Sequence, residues 1–119
     1  MARIDVEEFR GVLDYLLKHY EKLESMERRL SQIASSELEA TRVKLWKIAL
    51  GGLISKYKTL IEDLNRGESI SVVIDACKIR DEVSRLLSEY SRDEDLIAPV
   101  RPALAKIYAD ALEICGESP

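Results

Sequence analysis

The chain has 119 residues, of which 46% are hydrophobic and 34% charged, and its formal net charge is −4. This composition excludes a disordered protein, and the length predicts a single domain over residues 1–119. The negative charge gives no general affinity for nucleic acid or anionic lipid, and no apolar run reaches the 18 residues of a membrane-spanning helix.

The compartment and the source are predicted from composition. The first residues lack the basic and then apolar order of a signal peptide, which favours a cytoplasmic protein. Asparagine and glutamine occur once each, as Asn65 and Gln32, beside abundant charge, which is typical of thermophile proteins. In a reducing compartment, Cys77 and Cys115 are more simply explained as small buried residues than as a disulfide.

The first helix is predicted to begin at Asp5, which forms a capping box with Glu8, and to end near Ile33. Its apolar seam repeats every seven residues, at Phe9, Leu16, Leu23 and Leu30. His19 lies in this seam but is the chain's one histidine, so a paired metal site on neighbouring helices cannot be built from it. We expect a half-buried structural histidine with one ring nitrogen hydrogen-bonded.

The segment from Glu37 to Leu64 contains no proline and predicts a central helix, capped by Ser36, around which the others pack. One stripe of large residues follows helical spacing: Trp46, Leu50, Leu53, Tyr57, Leu60 and Leu64. A neighbouring set is small or apolar: Thr41, Leu45, Ile48, Gly52, Ser55 and Thr59. We expect other helices to cover both sets. Water would then reach only a narrow strip, which consists of Lys44, Lys47, Gly51 and Lys58.

Two further helices are predicted after the glycine at position 67, which ends the central helix in a left-handed conformation. Ser69 is expected to cap the third helix, Asp93 or Asp95 to cap the segment after the polar loop, and the last helix to begin within the range 99–102. The fold class is therefore all-α, as an antiparallel four-helix bundle. The alternative is five helices, if the central helix breaks at its glycine pair.

No catalytic, metal-binding or cofactor-binding residues are predicted. Any Ser-His-Asp or Cys-His arrangement would need His19, and a zinc site of four ligands cannot be assembled from two cysteines and one histidine. The glycine pair lacks the Lys-Ser or Lys-Thr of a phosphate-binding loop. We therefore expect neither enzyme activity nor a small-molecule substrate.

Two features of the central helix favour a macromolecular partner. Glycine inside a helix costs about 0.5–1 kcal/mol relative to alanine, so a pair needs compensation from a close packing contact. Between Thr41 and Ile61 there are also five basic residues and no acid. The predicted partner-binding residues are Lys44, Lys47, Gly51, Gly52, Ser55 and Lys58. A second copy of the chain or another protein is the expected partner, and nucleic acid along the basic residues is the alternative.

Overall fold

The computed structural model describes residues 5–116, which contain helices and no strand. Four long helices are joined by short turns and one single-turn helix. In chain order the helices are α1 (Val6–Ser31), α2 (Glu37–Arg66), α3 (Ser69–Glu89), α4 (Glu94–Ile97) and α5 (Arg101–Cys115). Short 3-10 turns at Ala34–Ser36 and Ala98–Val100 precede α2 and α5. The predicted all-α class and the number of long helices are confirmed.

The central helix α2 is continuous over 30 residues, so the five-helix alternative is wrong. Gly51 and Gly52 keep helical backbone angles. The only positive φ angles in the described range are at two other glycines, Gly67 and Gly116. Gly67 has φ 71° and its N–H donates to the Leu64 carbonyl at 3.2 Å. Glycine takes this left-handed conformation at little cost, which explains why α2 ends there.

The large-residue stripe of α2 forms the centre of one hydrophobic core, as predicted. Trp46, Leu50, Leu53, Tyr57 and Leu60 are each at most 1% exposed. They pack against the inner sides of the other long helices, including Phe9, Leu16 and Leu23 on α1, Ala76, Ile79 and Val83 on α3, and Leu104, Ile107 and Ala111 on α5. Burial of this area accounts for most of the stability of the fold.

Consecutive long helices lie side by side. The ring of Phe9 stacks on Tyr57, with centroids 5.7 Å apart, so the start of α1 lies beside the second half of α2. Trp46, early in α2, meets Tyr90 at the end of α3 edge to face at 5.0 Å. α5 returns toward α1, where the Tyr15 hydroxyl donates to the Pro99 carbonyl.

A disulfide joins Cys77 on α3 to Cys115 at the end of α5, with their Cα atoms 5.0 Å apart. The expectation that both cysteines are simple buried residues is therefore wrong. That expectation rested on the assumption of a reducing compartment. The spacing of the cysteines in sequence also does not show that the last turn of α5 lies beside the third turn of α3. The Arg80 guanidinium also contacts the Cys115 sulfur at 3.3 Å.

Helix capping follows the prediction at one of four predicted sites. The Asp5 carboxylate accepts the Glu7 N–H at 3.0 Å, as expected of an N-cap. Ser36 makes no side-chain cap bond, and Ser69 is the first residue of α3 rather than its cap. Asp93 precedes α4 without a side-chain cap bond because its carboxylate is bound to Arg42 at 2.9 Å.

Candidate docking surface on the central helix

The side of α2 that points away from the core is exposed along most of the helix. Seven of the exposed residues on this side are called the outer face here, and Lys58 is exposed at its edge: Thr41, Lys44, Leu45, Ile48, Ser55, Thr59 and Glu62. Leu45 is 53% exposed and Ile48 is 56% exposed. The expectation that neighbours cover the small and apolar set is therefore wrong. α1 and α3 flank α2 and leave the side between them open.

The predicted basic strip is interrupted at Lys47. Its ammonium binds Glu27 of α1 at 2.8 Å and lies 5.8 Å from the centre of the Tyr20 ring, and its side chain is only 16% exposed. The hydrogen bond to Glu27 raises the pKa of Lys47, which keeps this ion pair charged. Lys47 therefore joins α1 to α2, whereas Lys44 and Lys58 are exposed.

The two glycines have different surroundings. A Cβ atom on Gly51 would lie 3.2 Å from the Cε2 atom of Tyr20, which is closer than side chains normally pack. Gly51 thus permits the close crossing of α1 and α2, and it does not face water as expected. A Cβ atom on Gly52 would meet only the Glu82 carboxylate, at 3.8 Å. Nothing in the described chain therefore requires glycine at position 52.

The remaining basic residues of α2 are mostly paired. The Arg42 guanidinium binds Asp95 at 2.7 Å, Glu39 at 2.5 Å and Asp93 at 2.9 Å, and these bonds raise its pKa. Arg42 therefore ties the acidic loop to α2 through Asp93 and Asp95. Lys56 lies 3.5 Å from Glu82 on α3. Of the five basic residues between positions 41 and 61, only Lys44 and Lys58 form no ion pair within residues 5–116.

A cleft of about 200 Å³ separates α2 from α3 beside the outer face, lined by Ser55, Lys56, Thr59, Asp75 and Lys78. Burial raises the pKa of Asp75 to about 6, helped by a hydrogen bond to Asp63 and by its charge. Two carboxyl groups in contact share a proton more readily than they both ionise. Sequence reasoning missed this pair, because it depends on the register of α3 against α2.

His19 is half-buried, as expected, but the predicted hydrogen bond is not seen. Its Nε2 atom is buried with no hydrogen-bond partner in the part of the chain described. Burial, and then the charge of Lys22, lower its pKa, so the ring is neutral near physiological pH. A neutral ring nitrogen enclosed in this way is not open to a substrate.

The described helices include none that is both long and apolar enough to cross a bilayer. Across residues 5–116, no three His, Cys, Asp or Glu side chains are arranged to hold a metal ion. Two surfaces of the described chain expose neighbouring large apolar side chains: the outer face, and the start of α3 at Ile70 and Ile74. No protein-family model, no curated protein and no solved structure matches the chain.

Proposed function

We propose that the protein is a non-enzymatic interaction module, or a small subunit of a larger cytoplasmic assembly, that docks through the outer face of α2. The exposure of Leu45 and Ile48 is the observation that carries this proposal. These large apolar side chains are adjacent on the helix, and Thr41 lies one turn before Leu45. Contiguous exposed apolar surface marks contact sites for other macromolecules.

Two exposed lysines border the apolar part of this surface. Lys44 and Lys58 lie on either side of the apolar centre, about 21 Å apart along the helix axis. Neither forms an ion pair within residues 5–116, so both are available to a partner. An apolar centre with a charged rim is the usual composition of a protein–protein interface.

For the whole chain we propose an antiparallel four-helix bundle forming a single domain in a thermophile. The scarcity of amide side chains supports this source, and so does the disulfide. Disulfides are rare in cytosolic proteins of mesophiles but common in intracellular proteins of hyperthermophiles. A cytoplasmic location and a Cys77–Cys115 cross-link are therefore compatible if the source is hot.

Nucleic-acid binding is the alternative, supported by Lys44 and Lys58 on one side of α2. Two lysines would neutralise few phosphates and give a shallow dependence of affinity on salt. The pairing of Arg42, Lys47 and Lys56 within the chain weakens this alternative. Titration of labelled single- and double-stranded DNA and RNA at two salt concentrations tests it, and absence of binding at low salt removes it.

The docking proposal is tested by substitutions on two exposed apolar surfaces. Leu45→Asp with Ile48→Asp should abolish every association of the native protein, measured by co-isolation from its source and by sedimentation. The matched control is Ile70→Asp with Ile74→Asp on α3, since these residues are 79% and 49% exposed. Associations that survive the α2 substitutions would contradict the proposal. All four side chains are exposed, so the melting temperature should change little in either variant.

A further inference from the structure

The pattern of charge and size along the outer face is self-complementary. Glu62 follows Lys44 by 18 residues, which is five turns of an α-helix, so both lie on the same side about 27 Å apart. Both are exposed, and neither forms an ion pair in the described range. Lys44 at one end of the face is thus an unpaired cation and Glu62 at the other end an unpaired anion, with the exposed Lys58 one turn before Glu62.

The apolar and small residues are distributed in the same way. Leu45 and Ile48 occupy the half of the face that contains Lys44, whereas Ser55 and Thr59 occupy the half that contains Glu62. Gly52 lies between the two halves, and only the Glu82 carboxylate would come within 4 Å of a Cβ atom there. Large residues on one half match small residues on the other.

We propose that the partner of this surface is a second copy of the chain, with the two α2 helices packed antiparallel about a twofold axis near Gly52. This inference rests on the proposed function and specifies its partner. A twofold axis makes each contact occur twice, since the same patch serves both copies. Lys44 of one copy then lies opposite Glu62 of the other, and the reciprocal pair forms at the far end.

The same arrangement places the large apolar residues over the small ones. Leu45 and Ile48 of one copy pack into the space above Ser55 and Thr59 of the other. Helices in contact lie about 8–10 Å apart, and small residues at the crossing allow the shorter distance. Gly52 at the crossing therefore receives the packing contact that its own chain does not provide. Parallel packing would instead place the two Lys44 side chains opposite each other.

Charge reversal tests this pairing. Wild type should dimerise in sedimentation, and Lys44→Glu or Glu62→Lys alone should weaken the dimer about tenfold, because two ion pairs become two repulsions. The double variant Lys44→Glu with Glu62→Lys should restore the wild-type dissociation constant. Both side chains are exposed and unpaired in the described range, so the monomer should fold normally. Gly52→Leu should weaken the dimer further by blocking the close crossing.

Each other outcome contradicts the inference. A wild-type chain that stays monomeric at its highest soluble concentration overturns it. A dimer that the single reversals leave unchanged, or that the double variant does not restore, overturns the antiparallel register. Ile70→Asp on α3 is the matched control, and an equal loss there would place the interface elsewhere. If the chain is monomeric but still binds another macromolecule through Leu45 and Ile48, the proposed function stands and only the second-copy partner is removed.

Discussion

The two sides of α2 are built from similar residues but have different neighbours. On the inner side, Trp46, Leu53 and Tyr57 are at most 1% exposed and lie in one continuous core. On the outer side, Leu45 and Ile48 are more than half exposed. The folded chain accounts for the apolar residues of the inner side. It does not account for those of the outer side, which is why we propose a contact beyond the monomer.

The largest difference is expected when an apolar side chain is shortened on each side. Leu53→Ala should lower the free energy of unfolding by about 2–5 kcal/mol, because it leaves a cavity in the core. Ile48→Ala should change the stability of the monomer by less than about 0.5 kcal/mol, since its environment is mostly solvent. Urea denaturation at low protein concentration measures both. Similar losses would show that the outer side is packed in solution.

Asp75 of α3 lines the cleft beside the outer face of α2, and its pKa is raised from 3.8 to about 6. A carboxyl group with a raised folded-state pKa binds its proton more tightly in the folded chain. Protonated Asp75 therefore stabilises the fold relative to ionised Asp75. This contribution is full below pH 3.8 and is lost as the pH rises through about 6. Asp75→Asn should therefore stabilise the protein by about 1–2 kcal/mol above that range, after allowance for solvent screening.

Thermal unfolding of wild type and Asp75→Asn across this pH range measures the effect. The two proteins should converge at low pH, where Asp75 is protonated in both folded and unfolded chains. A constant difference in melting temperature at every pH would show that the substitution acts through packing.

The smallest predicted effect is the difference in stability between alanine substitutions at Gly51 and Gly52. Gly52→Ala should stabilise the monomer by about 0.5–1 kcal/mol through helix propensity, because its Cβ would meet nothing closer than 3.8 Å. Gly51→Ala should give a smaller gain or a loss, since its Cβ would press on the Tyr20 ring at 3.2 Å. Urea denaturation of the two variants gives the comparison. An equal gain at both positions would contradict the close crossing of α1 and α2.

Much of the fold could be predicted from sequence because it follows from local patterns. The stripe through Trp46 and Leu53, the seam of α1 through Leu16 and the glycine at position 67 each depend on residues close in the chain. The Ser36 and Ser69 caps were predicted wrongly, because an N-cap requires a particular backbone angle as well as the residue type. The disulfide was considered and not favoured, because its formation depends on where α5 ends relative to α3.

The candidate site was less predictable, since exposure depends on how neighbouring helices are placed. The small set on α2 has the same periodicity whether a helix covers it or water does. Lys47 and Lys44 have the same chemistry in sequence, and only the position of Glu27 on α1 separates their roles. The sequence shows that Lys44 and Glu62 lie on the same side of a helix. This spacing indicates a pairing between two copies only once both side chains are known to be exposed.

The disulfide encloses the stretch from Cys77 to Cys115 in a covalent ring that contains the second half of α3, the polar loop and all of α5. A single proteolytic nick inside the ring would leave both fragments attached, and they would separate only after a thiol is added. The loop at Asp93 can therefore be opened or extended without detaching α5 from the core. This loop lies beside the start of the outer face, since Arg42 binds Asp93 and the Tyr90 hydroxyl donates to the Leu45 carbonyl at 3.3 Å. A nick there would leave the proposed docking surface open, whereas an inserted domain would obstruct it.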